Sequence, residues 1–249
     1  MKKLLLLSLA MLFSLSSIFA DYSDTDVQRI YNTSNYRDFV YFMYNNPSID
    51  DMGEALNSVN TFIENSSYDD ESKIIAKAQS LEIVGSYLVK NKTSLEGLNG
   101  KAICDYGLEV IGEIENIDKN EEALIVKAEL LGNYIMISSS YIFSKGIESS
   151  KVIDKALKIN KTNPRSIIID SEKMMYAPGL FGGNKAKAKK QLEELISNYE
   201  LLPKDAFEVV KNLGILAEKE GKDDIAITYF TYAKDIYPDN SEIMELWLK

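Results

Sequence analysis

From Asp21 onward the apolar positions recur every three to four residues, and no stretch alternates long enough to argue for a sheet. This period predicts helices at about 24–44, 51–65, 70–90, 98–116, 120–143, 147–160, 164–177, 184–199, 204–220, 222–237 and 241–248. Starts and stops carry the expected punctuation: Pro164 and Pro203 stand in first turns, Gly221 follows a helix end, and Pro238 stops another. The longest uncharged run after the N-terminus, Leu130–Ser144, is 15 residues and holds Asn133 and several serines. That is too short and too polar for a membrane span, so a core helix is expected, with Ala128 and Gly132 letting a neighbour approach. The fold class is therefore all-α.

Within this pattern two echoes appear. Ala76–Leu88 resembles Val126–Ser138 at an offset of 50, with Lys77/Lys127 and Ala78/Ala128 in register. A sharper one lies near the C-terminus, where Val210-x-x-Leu213-Gly214-x-x-Ala217 is followed by Ala226-x-x-x-Phe230-x-x-Ala233 and Pro238. Small residues at 214, 226 and 233 let two helices approach, and Leu213 and Phe230 fill the space between them. This segment resembles the tetratricopeptide repeat, with Val210 and Ala217 standing where the family places large aromatics. Ala188-x-x-x-Leu192-x-x-Leu195 is a degenerate copy upstream, and Ile153-x-x-Ala156-Leu157 a further one. The resemblance implies an α-solenoid of antiparallel helix pairs over residues 21–249, read as one domain. It also implies that the first helix of each pair lines a partner groove, which in the best copy points to Lys211, Ile215 and Glu218. The segment 241–249 reads as a lone extra helix covering the last repeat.

Residues 1–20 have the grammar of a cleaved secretory signal: Lys2-Lys3, an apolar stretch to Phe19, and Ala20 before Asp21. Leu4 to Ala20 is 17 residues, short of the roughly 20 that a spanning helix requires. No cysteine follows, so a lipoprotein anchor is not expected; the expected location is the periplasm or the exterior of a bacterium. Removing residues 1–20 takes away two lysines and no acid, so 26 basic against 38 acidic residues leave a net charge of −12. Such a chain repels nucleic acid and anionic membranes.

There is no histidine, which removes Ser-His-Asp and Cys-His pairs and imidazole-based zinc sites. The single cysteine, Cys104, cannot form an internal disulfide and reads as a small buried apolar residue. Asp50-Asp51, Asp69-Asp70-Glu71 and Glu121-Glu122 fall at helix starts, where negative charge favours the helix, so they read as capping groups rather than metal ligands or an acid–base pair. No catalytic residue, metal or cofactor is expected. Met175–Leu195 has glycines and lysines but no Gly-Lys-Ser/Thr, so it is no phosphate loop. It reads as a turn, with Leu180 and Phe181 tucked beneath it and four lysines opposing the dipole of the next helix, a cost that an anion or acidic partner would relieve. The tyrosines at 31, 36, 41 and 44 read as packing residues. The expected function is a non-enzymatic scaffold for a protein or peptide. The alternatives are a small-ligand receptor of a transport system, which needs an enclosed pocket, and a carboxylate-only glycan-cleaving enzyme.

Overall fold

The computed structural model describes residues 25–248 together with Ile18–Phe19, and within them the chain is helical with packed helix pairs. The rest of the expected leader lies outside the described residues; the backbone of Ile18–Phe19 pairs in parallel with Tyr199–Glu200. The helices are α1 Asp26–Tyr31, α2 Ser34–Tyr44, α3 Ile49–Asn65, α4 Asp70–Asn91, α5 Gly100–Ile111, α6 Glu121–Ile137, α7 Lys145–Ile159, α8 Pro164–Tyr176, α9 Lys185–Asn198, α10 Pro203–Lys219, α11 Asp223–Ile236 and α12 Ser241–Trp247. Among the described residues no helix is long and apolar enough to cross a membrane.

Capping fixes most of the starts. Ser48, Asp69 and Asn120 each accept the backbone N–H three residues on, and the acids at 50, 51, 70, 71, 121 and 122 fill first turns. The expected helix at 24–44 is two helices, because Thr33 caps a new start by accepting the N–H of Tyr36. The expected start at 98 is instead part of a short antiparallel hairpin, Ser94–Leu95 with Leu98–Asn99, turned by Glu96 and Gly97 at positive φ.

The chain falls into two compact units. One holds Ser23–Lys161 and Tyr237–Ser241. Its centre is α4 and α6, whose residues are buried on nearly all sides, from Ile75 to Leu88 and from Ala123 to Leu131. α5 packs on α4 almost backbone to backbone: a Cβ added at Gly100 would lie 2.5 Å from Val89 Cγ2 and 2.8 Å from the Gly85 carbonyl. Cys104 is fully buried against Gly85, and burial pushes its thiol up to about 12. Tyr31 and Tyr36 are buried as a pair with ring centroids 4.8 Å apart; Tyr41 is exposed but, with Tyr44, faces Tyr237. Asn240 donates to the Tyr44 carbonyl and Asn45 accepts from the Asp239 N–H, fixing residues 237–241 on α2.

The run from Leu130 corrects one expectation. α6 stops at Ile137 and a 3-10 turn follows, leaving Ile135, Met136, Ile142 and Phe143 exposed, so only its first half is core. Gly132 has nothing within 4 Å of an added Cβ. The close approach is at Ala128, whose carbonyl accepts from Ser149 of α7, and at Gly107 of α5, where Leu130 fills the space of a side chain.

The other unit holds Thr162–Ile236 and the segment from Glu242. Two consecutive pairs, α8/α9 and α10/α11, pack together around Ile168, Met174, Met175, Ala188, Leu192, Leu195, Val209, Leu213 and Leu216. Connections of a few residues bring each helix back beside its predecessor.

Candidate partner-binding face

α10 and α11 interlock at the positions that the spacing singled out. Gly214 has no Cβ because Phe230 occupies its place: an added atom would sit 2.3 Å from Phe230 Cε1 and 2.6 Å from Cδ1. Leu213, Ala217, Ala226, Phe230 and Ala233 are all buried, as are Ala188, Leu192 and Leu195 of α9. The pairing places α8 beside α10, so the first helices of successive pairs are neighbours. Asn212 of α10 donates to Glu172 of α8 across 2.8 Å.

The three residues expected to line a groove do not share one environment. Lys211 is buried, at 6% exposure, which corrects its expected surface position. Its ammonium lies 2.6 Å from Glu208 and 3.5 Å from Glu242 of α12, and above the Phe207 ring. Desolvation pulls its pKa down, but Glu208, Glu242 and Glu172 more than offset this, so Lys211 stays firmly protonated. It is an internal counter-ion joining α8, α10 and α12. Ile215 is half-buried against the shared core and Glu218 half-exposed. One turn beyond, Lys219 stands 4.9 Å above the ring of Tyr176, which is 59% exposed at the end of α8. Ile215, Glu218, Tyr176 and Lys219 are the accessible part of the arrangement. The alternation of charge along α10 carries no signal for Lys211, because two of its three carboxylates come from other helices.

α12 closes over α11 as well. Trp247 donates to Thr231, Lys234 lies 4.0 Å over the indole, and Ile243 is the buried anchor. The loop before α9 departs from expectation: Leu180 projects into solvent, at 91% exposure, instead of tucking under. The loop is held from its backbone, with Gly182 at φ +91°, Gly183 N–H donating to the Pro178 carbonyl and Asn184 N–H to Met174. A side chain at Gly183 would lie 1.8 Å from the Ala177 carbonyl, so the turn admits only glycine there.

Other chemistry is sparse. Among the described residues no group of three or more acidic or cysteine side chains is arranged to hold a metal ion. In the other unit an open depression of about 420 Å³ is lined by Ile49, Asp50, Gly53, Glu54, Asn57, Leu95 and Glu96. Three carboxylates and no aromatic ring line it, unlike the apolar enclosures that hold small molecules. Away from this depression, two buried carboxylates of the unit have amide partners: Glu82 accepts from Gln79 and Asn133, and Glu122 from Gln28.

No protein-family model matches the chain, and no curated protein and no solved structure is significantly similar to it.

Proposed function

We propose that this chain is an exported, non-enzymatic scaffold of tetratricopeptide-like design, in which the first helices of stacked pairs form the surface that takes a protein or peptide. The reading rests above all on the seat of Phe230 in the place of a Gly214 side chain. That contact makes α10 and α11 a close pair, and α8 lies beside α10 with Ile215, Glu218, Tyr176 and Lys219 accessible. The set combines an apolar side chain, an exposed ring and one charge of each sign, the composition of a peptide-contact surface rather than of a reacting centre. The leader-like residues 1–20 support export.

Site-specific photo-crosslinking tests it. A benzoylphenylalanine at Ile215 or Tyr176, introduced in cells, is expected to capture one discrete partner. The same probe at Ile159, exposed on α7, is expected to capture none. Equal capture at all three positions, or capture at Ile159 alone, refutes the assignment.

A further inference from the structure

We propose that a second surface of the same unit, formed by the loop 178–184 and the lysine-rich start of α9, docks an acidic polypeptide segment that carries an apolar side chain. From Lys173 to Leu192 the chain has five lysines and no acid, in a sequence with 38 acidic against 28 basic residues. Lys185 and Lys187 are exposed and form no ion pair with a described residue. Lys189 and Lys222 share Glu220, at 2.8 and 2.7 Å, and Lys190 pairs with Glu194, so these carboxylates are already neutralised. Folding does not call for this cluster, because cations in a first turn oppose the helix dipole. The buried side of α9 is supplied by Ala188, Leu192 and Leu195 alone.

The apolar half of the argument is Leu180. The glycine-dependent turn described above holds it out at 91% exposure, ahead of Lys185 and Lys187. An apolar finger beside two unneutralised ammonium groups fits a segment in which a hydrophobic residue is flanked by carboxylates. A membrane surface fits worse. Asp223 and Asp224 are exposed directly after Lys222, and the chain as a whole carries −10, so a broad anionic sheet is repelled where a narrow segment is not.

The test uses the whole chain and a short fluorescent peptide of glutamates around one leucine, followed by anisotropy over a salt series. Binding is expected to weaken as salt rises. Lys185→Gln with Lys187→Gln is expected to weaken it about threefold to tenfold and to flatten the salt dependence. Leu180→Ser is expected to cost roughly tenfold with the salt slope unchanged. Lys158→Gln with Lys161→Gln, an exposed pair elsewhere, is expected to change nothing. The proposal is overturned if the peptide does not bind, if the control pair matters as much, or if phosphatidylglycerol vesicles bind more tightly with the same dependence on Lys185 and Lys187. Because Ile215 takes no part, failure here leaves the crosslinking result at Ile215 intact, and failure there leaves this one.

Discussion

Two glycines inside helices have opposite surroundings, and their replacement by alanine is predicted to move stability in opposite directions. Alanine relieves the entropic cost of a helical glycine by about 1 kcal/mol. At Gly132 an added Cβ meets nothing within 4 Å, so Gly132→Ala is expected to stabilise by roughly that amount. At Gly214 the new atom would fall 2.3, 2.6 and 3.0 Å from three ring carbons of Phe230, a side chain only 2% exposed that has nowhere to go. Overpacking of this kind costs about 1–3 kcal/mol. With contacts this short the cost falls at the upper end of that range, so set against the helical gain Gly214→Ala is expected to lose about 2 kcal/mol net, a fall in Tm of roughly 4–8 °C for a chain of this size. Phe230→Leu alone loses about 1 kcal/mol of burial but makes room, so the double variant is expected to recover most of the clash. Urea and thermal melts followed by circular dichroism, on the parent, the two glycine variants, Phe230→Leu and the double, supply the cycle. If Gly214→Ala is as stable as the parent, or if the Gly214 and Phe230 effects simply add, the close approach of α10 and α11 is refuted.

Lys211→Met is predicted to cost about 2–3 kcal/mol, below the range for fully buried pairs because Glu242 is partly exposed, while Glu242→Gln costs under about 1; equal urea midpoints for parent and Lys211→Met would show that the lysine is not an internal counter-ion. The Glu220 carboxyl, hydrogen-bonded by Lys189 and Lys222, is held at about 2 against an ordinary 4.5. A depressed carboxyl stabilises the fold above its unfolded value and loses that contribution as pH falls from about 4.5 toward 2, so NMR titration of Glu220 should show the low midpoint and Lys189→Gln should raise it. The Cys104 thiol, raised to about 12, should be inert to alkylating reagents at pH 8 until the unit unfolds, and its contribution to stability is lost as pH climbs from about 9 to about 12. Rapid labelling of native protein at pH 8 would contradict its burial.

What was legible in the sequence follows from the range of the forces involved. Periodicity, proline at the first turn and small residues at fixed intervals are local, and they placed α8 to α11 within a residue or two, together with the Gly214–Phe230 contact. Thr33 was also readable as a cap, followed three residues later by Tyr36, but the apolar period running through Tyr31 and Tyr36 masked the break. An apolar residue in a loop usually finds cover, but at Leu180 the backbone bonds of residues 174–184 fix a turn that leaves none. Lys211 was illegible in principle. A lysine three residues after a glutamate reads as a solvated pair, and only the tertiary arrival of Glu172 and Glu242 makes burial tolerable.

That last point bears on how the partner face is to be tested. Because Lys211 ties α8, α10 and α12 together, substituting it shifts the helices that carry Ile215, Glu218 and Tyr176, and a loss of binding would report displaced geometry rather than a lost contact. Ile215 and Glu218 lie one and two turns further along α10, beyond Lys211, whereas Tyr176 stands against Lys219 and also feels the charges of the Lys211 cluster, so Ile215 and Glu218 are the cleaner probes. A variant such as Glu218→Gln leaves the carboxylates around Lys211 in place, so its effect on partner affinity, at unchanged urea midpoint, reads the surface itself. If affinity follows Lys211 and the midpoint together while Glu218→Gln, Ile215→Ser and Tyr176→Ser leave it untouched, the partner does not lie along α8 and α10.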